Sequence, residues 1–246
     1  MPGMQVNDPA ERLDLAYLFA NVSYWSPYWS AKNREVVELA EAARAISARS
    51  AMVHVFDLPM LVPLLGETKV RPEAVINFPD GLNGWRAIQA EAAQAAEDGA
   101  VSADLTVNLR HIKNSDKKKV VGDCLGVRQF FQEPIKLIAQ VPYLWLYERD
   151  AIPRLLDFLP EAGVYCIKDW TTRNNFSVKI NVSLNTRVRY TQYMADYITK
   201  QALPLWIKIA GGVDATNAKD FVSAGADLLG LSYGKAKSVR EALLMK

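Results

Sequence analysis

The chain has 246 residues, half of them hydrophobic and 23% charged, enough length for one large buried core and too apolar for wholesale disorder. Its 29 basic and 27 acidic residues leave a net charge of +2, so no global field draws nucleic acid or an anionic membrane surface. Two cysteines, Cys124 and Cys166, and two histidines, His54 and His111, are too few for a disulfide framework or a histidine-rich metal centre.

The opening MPGMQVNDPAERLD lacks a basic stretch followed by an apolar run, so no signal peptide is expected. The most apolar window, residues 51–65, is broken by His54 and Asp57 and falls short of a membrane span. The expectation is a reduced, cytoplasmic protein with free buried thiols.

From one end to the other, short apolar runs alternate with segments of helical period. Strands are predicted at 12–19, 51–56, 73–78, 102–109, 141–147, 163–168, 205–210 and 226–232, and their near-continuous hydrophobicity suits burial on both faces. Between them, 34–46 and 84–98 place apolar residues on one helical face, and another helix is expected near Thr216. Gly99 and Gly225 stand where a left-handed cap would end a helix before a strand. Eight such pairs over residues 1–246 predict a single α/β domain, a (β/α)8 TIM barrel. An open doubly wound sheet is the alternative, but the Gly-rich dinucleotide fingerprint is missing after the first strand.

In such a barrel the inward side chains at the C-terminal strand ends make the active site. Asp104, Thr106 and Asn108 share one parity on the fourth strand, Cys166 and Lys168 on the sixth, Trp206 and Lys208 on the seventh. Taken singly, each lysine reads equally well as a strand-end residue with its ammonium in solvent. Together in an apolar tube, burial and like charge would lower the pKa of one amine enough for it to attack a carbonyl. The imine formed is an electron sink for making or breaking a neighbouring carbon-carbon bond, the outline of a class I aldolase.

The segments INFPDG (76–81), EAAQAAEDGAVSADLTVN (91–108), CIKDWTT (166–172) and IKIAGGVDATNAKDFVSAGADLLGLS (207–232) resemble the deoxyribose-phosphate aldolase family. That resemblance implies Lys168 as the Schiff-base lysine, Lys208 as the lysine that tunes it and Asp104 as the proton relay, with no metal or organic cofactor. It also implies a phosphate grip, here falling on Thr171, Thr172, Gly211, Gly212 and Ser232, with Asn77 and Thr106 completing the expected substrate contacts. The chain departs from the family at Tyr233, where a small hydroxyl residue is usual, and at RNNFSVKINV (173–182), which replaces a Gly-rich segment. A further departure is a predicted fifth strand without a lysine.

VSYWSPYWS (22–30) carries Tyr24, Trp25, Tyr28 and Trp29 and reads either as a lid over the site or as a subunit contact. Trp145, Trp170 and Trp206, on consecutive predicted strands, read as an aromatic wall at the mouth or as core packing. His54 and Cys166 are expected to pack, Glu148 to form a salt bridge, and Arg173, Lys179 and the run KNSDKKK (113–119) to be solvated. The sequence thus points to an aldehyde-lyase acting on a small carbonyl substrate, sugar-like and either phosphorylated or modified, with a homodimer as its expected assembly. The rivals are a non-covalent phosphate-binding isomerase or synthase and a non-catalytic binding or assembly subunit.

Overall fold

The computed structural model describes residues 8–18, 30–172 and 180–245, with the backbone alone for 30–33. Eight parallel strands close a barrel in sequence order: β1 (Leu13–Ala16), β2 (Ser50–His54), β3 (Arg71–Ile76), β4 (Ser102–Thr106), β5 (Ile135–Ile138), β6 (Val164–Lys168), β7 (Trp206–Ala210) and β8 (Leu228–Ser232). Around them run α1 (Ser30–Ile46), α2 (Leu58–Leu65), α3 (Trp85–Glu97), α4 (Leu109–Lys113), α5 (Lys117–Arg128), α6 (Val141–Tyr147), α7 (Ala151–Phe158), α8 (Leu184–Lys200), α9 (Ala218–Ser223) and α10 (Ala236–Leu244). None of the described helices is long and apolar enough to cross a membrane.

The strand pleat sorts the side chains into two populations. Leu13, Leu15, Ala74, Ile76, Ala103, Leu105, Ile207 and Ile209 face outward into one core shared with helical residues such as Val36, Leu39, Ile88, Tyr190 and Phe221. The alternate positions face the tube, and there the sequence supplies charge: Asp14, Glu73, Asp104, Lys136, Lys168 and Lys208 are all buried. A barrel interior is ordinarily filled with branched apolar residues, so this column of ionisable groups is costly unless its members pair.

One predicted strand is a helix. Residues 141–147 form α6, and the fifth strand lies just before it at Ile135–Ile138. The run VPYLWLY is apolar throughout and gives no period to separate strand from helix, but Pro142 is at home in a first helical turn. Gln140, in the left-handed region at φ 53°, turns the chain between strand and helix. The shift overturns two expectations: the fifth strand does carry a lysine, Lys136, and Trp145 sits on a helix, packed on Tyr190 and Tyr193. Smaller corrections follow from caps. Asn108, expected at a strand end, caps α4 by accepting from the Arg110 N–H, and residues 55 and 56 belong to a 3-10 turn (Val55–Asp57). Gly99 and Gly225 end α3 and α9 at positive φ, as expected.

Between β5 and β6 the register slips, so that Ile135 faces Val164 while Lys136 faces Cys166. The extra residue, Tyr165, is re-aimed by this bulge toward the lower tube, with its ring 5.7 Å from the Lys136 ammonium and edge-on to Trp206 at 5.4 Å. Arg49 stacks on Trp206 at 4.9 Å. Trp206 therefore packs low in the barrel, and of the three tryptophans Trp170 alone lines the upper cavity.

Candidate active site

Lys168 ends β6 and lies beside Lys208 of β7, its direct partner in the sheet register. Both side chains converge on Asp104 of β4, whose Oδ2 is 2.9 Å from Lys168 Nζ and 2.9 Å from Lys208 Nζ. Lys208 has a second carboxylate, Asp14 of β1, at 2.8 Å. Lys136 faces three: it pairs tightly with Glu73 of β3, and lies 3.3 Å from Asp104 and 3.6 Å from Asp14.

This unequal supply of anions separates the three amines. Burial pushes the Lys168 pKa down; Asp104 opposes that, while Lys208 and Lys136 reinforce it, and the net shift is downward. For Lys208, burial is outweighed by Asp104 and Asp14, and its pKa rises. Lys136 is likewise raised, chiefly by Glu73 against the cost of burial. Burial raises the carboxyls of Asp104 and Asp14, but the surrounding ammonium groups outweigh it and hold both below the usual carboxylate range. One lysine is thus biased toward the free base beside two that stay cationic.

Lys168 and Lys208 open onto a cavity of about 300 Å³ at the C-terminal mouth. Thr171, Thr172, Gly211, Gly212 and Ser232 also line it, so five of the seven sequence-predicted contact residues gather there. Gly211 needs the absence of a side chain, because a Cβ would come within 1.9 Å of Thr172 Cγ2. The other two do not line it. Asn77 organises the turn after β3: its amide donates to the Thr106 carbonyl, its Oδ1 accepts from the Asn83 N–H, and its own N–H donates to Glu91. Thr106 is fully buried one pleat above Asp104, and its hydroxyl makes no hydrogen bond among the described residues.

A second network, unforeseen in the sequence, braces the mouth. Arg187 of α8 donates to the carbonyls of Gly211 (2.6 Å) and Ala210 (2.9 Å) and to Asp169 Oδ2 (2.9 Å). Tyr190 donates to the same carboxylate at 2.6 Å, and Asp169 Oδ1 accepts the Ala210 N–H at 2.8 Å. Asp169 directly follows Lys168, so this clasp fixes the ends of β6 and β7 against each other. Gln140 ties in the neighbouring strand end by donating to the Thr171 hydroxyl at 3.1 Å.

Of the remaining candidates, Glu148 forms the expected salt bridge, with Lys113 at 3.1 Å. His54 is partly buried, 3.3 Å from the Leu18 carbonyl and edge-on to Phe78. Burial raises the Cys166 thiol pKa, consistent with packing. Tyr24, Trp25, Tyr28, Trp29, Arg173 and Lys179 lie outside the described residues. Among the described residues no group of three or more His, Cys, Asp or Glu is placed to hold a metal ion.

No family model matches the chain. Among curated proteins it is similar to the deoxyribose-phosphate aldolase of Aquifex aeolicus, 31% identical over 171 residues that cover 68% of this chain and 70% of that one. The deoxyribose-phosphate aldolase of Methanothermobacter thermautotrophicus is 26% identical over 205 residues, 83% and 86% of the two chains. Among solved structures, one titled "QR15, an Aldolase" superposes with a TM-score of 0.76 at 23% identity, covering 97% of each chain. A tetrameric deoxyribose phosphate aldolase from Aeropyrum pernix gives 0.75 at 22% identity, covering 96% of this chain and 91% of its own. At such identities the structures speak for the fold.

Proposed function

The chain belongs to the deoxyribose-phosphate aldolase family, and from that premise we propose that Lys168 is its Schiff-base nucleophile, tuned by Lys208 and served by Asp104. The protein is an aldehyde-lyase of the class I type. The free amine of Lys168 adds to the carbonyl carbon of a donor aldehyde or ketone, and the carbinolamine loses water to give an iminium. Removal of a proton from the adjacent carbon leaves an enamine. Its carbon bonds to the carbonyl carbon of an acceptor aldehyde, whose oxygen takes a proton, and water then releases the hydroxy-carbonyl product and restores the lysine. The reverse order cleaves the same bond.

Asp104 suits the proton traffic because one of its oxygens touches both amines. Lys208, kept cationic, supplies a proton to the departing hydroxyl, and Asp104 spans the path between Lys208 and the reacting nitrogen. The observation that carries this reading is that Lys168, alone of the three lysines, has its pKa lowered, and it also opens onto the cavity. Borohydride with a carbonyl substrate is expected to leave a reduced adduct on Lys168, read by peptide mass. An unmodified Lys168 in an enzyme that stays active overturns the assignment. We also propose a homodimer, checked by sedimentation velocity, and a cytoplasmic location.

A further inference from the structure

The turn after β7 is made of two glycines, and glycine by itself fixes no peptide plane. Gly211 and Gly212 sit at φ 75° and 66°, and without side chains they meet little barrier to swinging the peptides on either side. The orientation is therefore imposed from outside, by side chains that hold the carbonyl oxygens. Arg187, one turn into α8, donates from Nη2 to the Ala210 carbonyl at 2.9 Å and from Nη1 to the Gly211 carbonyl at 2.6 Å. Asn217, just before α9, donates from Nδ2 to the Gly212 carbonyl at 2.9 Å. Three successive carbonyls are thus taken.

In a trans peptide the N–H points away from the C=O that shares its plane, so each held carbonyl aims one N–H the other way. For the first plane the result is direct: the Gly211 N–H reaches the Gly230 carbonyl of β8 at 3.1 Å. The Gly212 and Val213 N–H groups, aimed by the next two, have no hydrogen-bond partner among the described residues. Gly212 and Val213 line the cavity above Lys168, whereas Arg187 and Asn217 do not. Arg187 and Asn217 therefore hold the turn from behind, and the two N–H groups face the cavity side by side, as successive amides do around an anion. Thr172, Ser232 and Lys235 line the same space.

We propose that Arg187 and Asn217 are positioning residues for the anionic end of the substrate: neither touches it, and together they hold the glycine turn with its N–H groups toward it. The inference rests on the aldolase reading and on the phosphate grip that the family resemblance implies at this turn. What it adds is the pair of side chains that make the turn a grip. Arg187 is itself held, with Asp169 Oδ2 at 2.9 Å from Nη2 and the Tyr190 hydroxyl at 3.2 Å from Nε.

The test compares cleavage of 2-deoxyribose 5-phosphate and of 2-deoxyribose by the full chain, as the ratio of the two kcat/KM values in one sample. The unaltered protein is expected to favour the phosphorylated sugar. Asn217→Ala frees one carbonyl near the surface and is expected to lower the ratio about tenfold, the scale of one hydrogen bond to a charged group, through KM with kcat little changed. Arg187→Leu combined with Asp169→Asn frees two carbonyls without stranding a buried carboxylate, and the ratio is expected to fall further. A variant that merely loosens the fold slows both sugars together and leaves the ratio in place. An unchanged ratio in both variants, or an unaltered protein indifferent to the phosphate, overturns the inference. Reductive trapping of acetaldehyde on Lys168 needs no anion, so an adduct keeps the aldolase reading whichever way the ratios fall. If neither sugar is cleaved and no adduct forms, that reading fails, and calorimetric titration with inorganic phosphate decides the role of the two side chains: binding that weakens about tenfold or more in the variants supports it, and equal binding or none overturns it.

Discussion

The β6–β7 wall of the tube and the β3–β5 wall hold the same chemical groups and use them oppositely. On the first, Lys168 touches one carboxylate, and burial wins: its pKa falls. On the second, Lys136 faces three carboxylates, and attraction wins: its pKa rises although it is more deeply buried. Desolvation and pairing act on both amines, and the number of anions in reach decides between them. The amine with the lowered pKa is therefore set apart by what its neighbours take for themselves. Glu73 and Asp14 hold two ammonium groups, and Asp104 is left as the single partner of the third.

Breaking the first wall gives the largest effect. Lys168→Arg keeps a cation but cannot form an imine, and activity is expected to fall on the order of 10⁴-fold, with no trapped adduct by mass. Breaking the second acts on folding. Lys136→Met strands Glu73 without its ammonium and is expected to cost about 3–5 kcal/mol in urea denaturation, whereas adding Glu73→Gln recovers much of that loss.

A subtler change sharpens the contrast. As the proposed nucleophile, Lys168 must shed its proton before it attacks, so kcat/KM is expected to rise as pH increases through its depressed pKa and to fall on acidification. Glu73→Gln removes an anion from a tube that also holds Asp14, Asp104, Lys136 and Lys208, which disfavours every ammonium there. The acid limb of the pH profile is expected to move to lower pH by about one unit, and a limb that stays put or moves upward contradicts the anion count. The smallest effect lies outside the tube: Glu148→Gln loses an exposed pair with Lys113 and is expected to change stability by under about 0.5 kcal/mol with activity unaltered.

Much of the barrel was legible because its signal is repeated: short, nearly continuous apolar runs recur from strand to strand, and helices of apolar stripe lie between them. The fifth strand was not. Ile135–Ile138 is four residues long and is followed by a longer apolar stretch that outbids it, so the strand was placed six residues late and Lys136 went unseen. Lys168, Lys208 and Asp104 were readable from parity alone. Asp14 and Glu73 were not, since an acid inside an apolar run carries no mark of its partner until β5 supplies the lysine between them. The clasp of Asp169, Arg187 and Tyr190 was hidden for a related reason, because it joins a strand end to a helix eighteen residues on in a contact no local pattern announces.

Three carboxylates and three amines face one another inside the tube. Arg71 adds a further cation at 3.7 Å from Glu73. An iminium on Lys168 would carry the same unit charge as its ammonium, so the proposed adduct would place no new charge in the tube. The carboxylates that hold Lys136 and Lys208 would keep their partners as the nitrogen becomes covalently bound.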